Sequence, residues 1–264
     1  MKKRSFGVII LALCLCLPVI ATAELSLRGY DKTEGYQYVL LGSFPQGEDG
    51  EIQPVLWRVL SVNDDEALLY SEYVLFNNRI HPDDTAYIEF GGQFNQTEMF
   101  MLLNGPFEGN PISEEERLAL LAKWRVGRVY TAEMCFKDEA FTEAEQAMLT
   151  TDDELGTVFL LTSGDLRNAD YGFNTEKSRQ AKGTKYALAT GLFKYSNGSS
   201  PYWMRNPAEN PPYGTRCTKV DGKIGYIRCV VMNEGCRPAV RLKLNGIEAT
   251  GGDGTAQNPF TFAR

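Results

Sequence analysis

The chain has 264 residues, with 27 Lys and Arg against 34 Asp and Glu, and its formal net charge is −7. An acidic surface repels phosphate backbones and no basic run overrides it, which argues against nucleic acid as a partner. One histidine in the whole chain excludes a multi-histidine metal site.

The amino terminus sets the compartment. Lys2, Lys3 and Arg4 precede an apolar run from Phe6 to Ile20, and Ala21-Thr22-Ala23 places small residues where a signal peptidase reads. This pattern predicts a signal peptide over residues 1–23, cleaved after Ala23, and hence a secreted, extracytoplasmic protein. Pro18 breaks the run, which falls short of the roughly 20 residues a spanning helix needs, so no stable membrane span is expected after cleavage. Leu13 and Leu15 stand before Cys14 and Cys16, where a lipid-attachment cysteine wants a small residue. Residues 1–23 carry three cations and no acid, so their removal takes the net charge from −7 to −10. About 241 residues remain, read as one extracellular domain with a core over 36–244 and a tail over 245–264. Cys135, Cys217, Cys229 and Cys236 stay with it. An even number of cysteines in an exported chain allows two disulfides in any of three connectivities. The other reading, buried free thiols, suits Cys236 above all, because it sits where a core residue fits. No spacing matches a paired zinc motif.

Taken in chain order, Tyr36 to Leu41 reads as a strand closed by Gly42-Ser43-Phe44-Pro45. Pro54 to Leu60 and Glu66 to Tyr70 flank Asn63-Asp64-Asp65, which is a hairpin signal. Polar residues and glycines from Asn77 to Gly92 predict a loop. Ser113 with Glu116, and Thr142 with Glu145, make capping boxes in front of helical patterns. Thr157 to Leu161 suits a buried strand, and 184–190 a short helix. From Asn197 on, Gly, Pro, Asn and aromatics dominate. Tyr202–Arg205, Thr215–Val220, Ile224–Val231 and Arg237–Leu244 read there as short strands, with Asp221-Gly222 as a hairpin turn. The expectation is one α+β domain of small antiparallel sheets, a few short helices and a loop-rich C-terminal half.

Several segments, in order, resemble a bacterial family catalogued as domain of unknown function 6273. They include Tyr38-Val39-Leu40-Leu41-Gly42-Ser43-Phe44-Pro45, Leu56-Trp57-Arg58-Val59-Leu60, Val158-Phe159-Leu160-Leu161-Thr162, Tyr202-Trp203-Met204-Arg205-Asn206-Pro207 and Gly235-Cys236-Arg237-Pro238-Ala239-Val240-Arg241-Leu242. The Trp-x-Arg and Gly-x-Arg-Pro-Ala words are also similar to the C-terminal half of C-type-lectin-like and formylglycine-generating-enzyme-like domains. That resemblance implies a lectin-like fold with long loops on a small sheet. By the same analogy it implies Cys135–Cys236 and Cys217–Cys229 disulfides. Calcium-dependent sugar binding does not carry over. The nearest words to its motifs, Glu209-Asn210-Pro211 and Trp203-Met204-Arg205-Asn206, have the wrong order and residues, and a calcium site needs about six to eight oxygens. Cys229 and Cys236 are also too far apart for the close pair of the formylglycine enzyme. No cofactor and no metal are expected.

Catalysis leaves few traces. His81, in Ile80-His81-Pro82-Asp83-Asp84, reads as an exposed loop histidine, and it is the only base on which a Ser-His-Asp arrangement rests. No phosphate loop, dinucleotide fingerprint or nucleophile elbow is present. With 34 acids, some carboxylate pair always lies at glycosidase spacing, so that count carries no information. The loop-rich third also holds Phe193, Tyr195, Tyr202, Trp203, Tyr213 and Tyr226, flat rings suited to stacking on a sugar or holding a peptide. Trp203 and Tyr226 read rather as strand core, whereas Tyr202 and Tyr213 are freer to face solvent. Arg205 and Arg237 read as loop-knitting residues that favour an anionic ligand should they face a pocket. The leading expectation is a non-catalytic module binding a glycan, peptide or cell-envelope component through Tyr202, Trp203, Arg205 and Tyr213. A secreted carboxylate-dependent hydrolase and a structural surface protein are the alternatives.

Overall fold

The computed structural model describes residues 27–105 and 135–262. The expected signal peptide and the helix expected after Ser113 lie outside the described residues. The first part of the chain supplies β1 (Tyr38–Pro45), β2 (Ile52–Val62), β3 (Glu66–Ser71) and β4 (Phe76–Asn77). Short helices follow at Asp84–Glu89, Glu98–Asn104, Phe136–Ala140 and Glu143–Ala147. Next come β5 (Val158–Phe159), β6 (Ala181–Lys182) and β7 (Ser199–Ser200), with a helix at Lys185–Ala189 before β7. The last part supplies β8 (Tyr202–Pro207), β9 (Gly214–Thr218), β10 (Ile224–Arg228) and β11 (Gly235–Cys236). After these come β12 (Ala239–Lys243), β13 (Ala249–Gly251) and β14 (Thr261–Phe262).

The strands form two five-stranded sheets, ordered β1-β2-β3-β12-β5 and β10-β9-β8-β11-β4, with two small ribbons beside them. The first sheet is antiparallel throughout; in the second, only the β8–β11 contact is parallel. The fold is thus mixed α+β, built mainly from small antiparallel sheets. One hydrophobic cluster joins both sheets, with Trp57, Leu69, Tyr70 and Val240 contributed by the first and Tyr202, Trp203 and Cys236 by the second.

Local chemistry explains the turns. Asn63 Oδ1 accepts from the backbone N–H of Asp65 and Glu66, which fixes the β2–β3 hairpin. Thr142 and Glu145 make the expected capping box in front of Glu143–Ala147, and Thr184 caps Lys185–Ala189. Asp83 caps a helix inside the segment that the polar composition marks as loop. β1 also runs on through the segment expected to close it. Gly42 has φ 69° and makes an irregularity between Leu40 and Ser43, so that Phe44 can be buried and Pro45 can still pair with Ile52. A Cβ at Gly42 would meet the Ala140 carbonyl oxygen at 2.6 Å and the Phe141 ring at 2.7 Å.

Two tryptophans sit at the centre of the packing. Trp57 Nε1 donates to the Leu41 carbonyl at 2.8 Å, and Trp203 Nε1 donates to the Asn78 carbonyl at 2.6 Å. Trp203 is 1% exposed and Tyr213 is 40% exposed. Trp203→Ala should therefore lower unfolding free energy by about 3–5 kcal/mol, while Tyr213→Ala should change it by less than about 0.5 kcal/mol. Urea denaturation of the two variants checks this, and comparable losses would contradict the placement.

Candidate functional site

Strand β8 leaves the core at Arg205. Tyr202, Trp203 and Met204 are buried in succession, so both faces of the strand are covered there, whereas Arg205 and Asn206 are half-buried. The β8–β9 register breaks between Trp203 and Pro207, and Arg205 N–H turns to the Leu161 carbonyl instead. The Arg205 side chain follows the same direction. Its Nη1 donates to the Leu160 carbonyl at 2.7 Å, and its guanidinium lies 5.7 Å from the Phe159 ring centroid. The neighbouring loop is held by Asn206, whose Oδ1 accepts from Ser163 N–H at 2.9 Å, and by Asp165. The Asp165 Oδ2 accepts from both the N–H and the hydroxyl of Thr162, at 2.8 and 2.7 Å.

Arg205 forms a wall of two clefts. The larger, about 450 Å³, also takes in Gln93, Phe94, Asn95, Glu154 and Leu155. The smaller, about 190 Å³, takes in Phe159, Asp165, Tyr171, Leu68 and Arg241. Gly92 fits at the rim of the larger cleft with φ 66°, and a Cβ there would collide with Pro207 and the Tyr87 hydroxyl, each at 2.8 Å. The loop can therefore lie against the end of β8 only with glycine at that position.

Of the residues singled out from the sequence, only Arg205 lines these clefts. Tyr202 is fully buried, with its hydroxyl donating to the Arg179 carbonyl at 2.6 Å, and Trp203 is core; neither presents a face to a ligand. Tyr213 is exposed near Arg228, at 5.9 Å from its guanidinium, and Phe193, Tyr195 and Tyr226 are also exposed. Tyr226 belongs outside because β10 is the last strand of its sheet. Arg237 is buried completely and faces Tyr70 and Tyr202. Arg241 is marked in the sequence only within the Gly235–Leu242 resemblance and not as a site residue. Its signal was there: an arginine between buried Val240 and Leu242 on a strand must point to the face opposite the core.

The four cysteines are buried free thiols, so the expected Cys135–Cys236 and Cys217–Cys229 disulfides are not formed. Cys217 pairs with Gly225 on β10, while Cys229 stands opposite Tyr213, four residues farther along the same antiparallel ladder. That offset is about 13 Å at strand rise, and a disulfide needs Cα atoms within about 7 Å. Cys135 donates instead to Asp138 at 3.1 Å, and Cys236 is enclosed in the core opposite Phe76. Burial pushes the Cys135 and Cys217 thiols up to about 12, which makes them poor nucleophiles.

His81 is not an exposed loop residue. It is 8% exposed and lies edge-on to Phe90 with centroids 5.0 Å apart, because the Asp84–Glu89 helix brings Tyr87 and Phe90 over it. Its Nδ1 has no hydrogen-bond partner among the described residues, so a catalytic relay through that atom is not assembled there. Glu139 and Glu234 are both raised to about 7 by burial, while Asp31, Asp152, Asp221 and Asp253 are lowered, first by backbone hydrogen bonds. Opposed shifts within one cleft would mark an acid–base pair, but none of the six lines the clefts at Arg205. Among the described residues no group of His, Cys, Asp and Glu is placed to hold a metal ion, and no helix is long and apolar enough to cross a membrane. Comparison with protein-family models, curated proteins and solved structures returned no match.

Glu234 and His81 make opposite contributions to stability against pH. The Glu234 carboxyl is 6% exposed with Oε2 unpartnered; burial raises it and Lys219 opposes the rise. Its effect is absent below the ordinary value of 4.5 and destabilises the fold as pH climbs from there to about 7. The His81 imidazole, lowered by burial to about 4 with Asp83 opposing, adds stability above 6.5 that is lost as pH falls toward 4. Glu234→Gln should raise unfolding free energy at pH 7.5 by about 1–3 kcal/mol and leave it within about 0.5 kcal/mol at pH 4. Denaturant titrations at the two pH values test this; no difference at pH 7.5 would mean that the carboxyl is solvated.

Proposed function

We propose that this protein is a secreted, non-catalytic binding module of the lectin-like kind, akin to the domain of unknown function 6273 family, and that it takes an oligosaccharide of the cell envelope in the clefts on either side of Arg205. The observation that carries this reading is Arg205 itself, the shared wall of two adjoining clefts at the open end of a buried strand. A chain-like ligand suits such a divided groove better than a compact one, since one unit can sit on each side of the guanidinium. The groove walls combine rings, amides and a charged fork, which is the composition of small-ligand sites. Export is supported by the Lys2-Lys3-Arg4 head, the apolar run and Ala21-Thr22-Ala23. The loop tyrosine Tyr213 lies outside the groove and takes no part in this reading.

The test is calorimetric titration of the mature chain with a panel of envelope oligosaccharides. Leu155→Trp, which fills the larger cleft, should weaken binding by about tenfold or more, and Tyr213→Ala should leave it within about twofold. Binding that survives Leu155→Trp and is lost with Tyr213→Ala would move the site to the exposed loops and overturn the assignment.

A further inference from the structure

The smaller cleft holds two arginines whose donors are largely unspent. Arg205 and Arg241 both lie over the Phe159 ring, with guanidinium carbons 5.7 and 5.2 Å from its centroid. The Arg241 guanidinium makes no hydrogen bond among the described residues; Asp152 Oδ2 is 3.9 Å from its Nη1, beyond hydrogen-bond reach. Arg205 gives one bond to the Leu160 carbonyl and stands 3.7 Å from Asp165.

Both acids are engaged in their own turns. Asp152 Oδ1 accepts from the N–H groups of Glu154 and Leu155, and Asp165 Oδ2 accepts twice from Thr162. Glu66, which lines the cleft beside Asp165, takes the Thr150 hydroxyl. None of the three forms the two-toothed pair that guanidinium and carboxylate make when each is the other's partner. Two like charges therefore face one small space, each with donors to offer. Burial lowers the Arg205 pKa first, the pull of Asp165 opposes that, and Arg241 then lowers it against a smaller pull from Asp152. An oxyanion between the forks would relieve the repulsion and use planar donors suited to carboxylate or phosphate.

Resting on the cleft reading above, we propose that the groove selects acidic saccharides, with Arg205 and Arg241 together holding the carboxylate or phosphate of one sugar unit in the smaller cleft. At about 190 Å³ that cleft has room for a single substituted ring, and Tyr171 and Leu68 offer it an apolar wall. The larger cleft then takes the adjoining units.

The experiment titrates the full mature chain with oligogalacturonate, with its methyl-esterified form and with a glycerol-phosphate-substituted oligosaccharide. Arg241→Gln keeps the stem as far as Cδ and a polar end while removing the charge. It should weaken binding of the charged ligands by about tenfold and leave the esterified form unchanged. Arg241→Lys should recover only part of the loss, because an ammonium lacks the fork. The stronger of the two charged ligands names the source of the oxyanion. Equal binding of the acid and its ester, or a silent Arg241→Gln with an unchanged melting temperature, would overturn the proposal. If Leu155→Trp still abolished binding in that case, the groove would stand as a site for neutral sugars. If no oligosaccharide of any kind bound, both readings would fall.

Discussion

Between Cys236, which ends β11, and Ala239, which begins β12, the chain passes from one sheet to the other, and Arg237 fills that crossing with no solvent exposure. Its Nε donates to the Ser71 carbonyl at 2.8 Å, and Pro238 accepts the Ser71 N–H at 3.0 Å, so the crossing is tied to the end of β3. The guanidinium lies 4.1 Å from the Tyr70 ring of the first sheet and 5.4 Å from the Tyr202 ring of the second. Its terminal nitrogens have no hydrogen-bond partner among the described residues. A buried cation in that state is expensive, and two aromatic faces offset part of the cost. The site depends on this arrangement at both ends. Arg205 follows Tyr202 on β8, and Arg241 lies on β12, which starts two residues after Arg237, so the two cleft arginines stand on strands that run from the surroundings of one guanidinium.

What the sequence made legible has causes that act within a few residues. The Thr142–Glu145 capping box and the Asn63 turn each depend on one side chain and the backbone just beyond it, and each forms. The hairpin expected to turn on Asp221-Gly222 alone closes wider, with Lys219 N–H donating to the Lys223 carbonyl and Gly222 N–H to the Lys219 carbonyl. Alternation along β8 and β10 marks strands but carries no statement of which sheet edge a strand occupies. For that reason Tyr202, expected to be freer to face solvent, is buried in a central strand, and Tyr226, expected as strand core, is exposed on an edge. His81 shows the same limit. Its burial comes from a short helix capped by Asp83, within a segment whose composition is that of a loop. Of the site, Arg205 was legible as an arginine between a strand and a loop; its pairing with Arg241 requires β12 to lie beside β5, a contact between distant segments.

The cysteines carry a related lesson about compartment and packing. An even number of cysteines behind a signal-peptide pattern leads one to expect disulfides on statistical grounds. Here each sulfur is placed by its own strand or helix, and the ladder register holds Cys217 and Cys229 apart. Burial of apolar surface across both sheets supplies the cohesion that crosslinks give to smaller domains.

The tail ribbon adds a kinetic property to this architecture. Phe260 pairs with Val39 in parallel, and its backbone exchanges hydrogen bonds with Tyr38 and Leu40, so residues near the end of the sequence cover the outer side of β1. Those partners lie roughly two hundred residues apart, and contacts of such separation slow the search for the native state. Until the tail docks, β1 presents an unsheathed margin to neighbouring chains. The late joining of these two segments is therefore the step at which a half-made molecule is most exposed to sticking to its own copies.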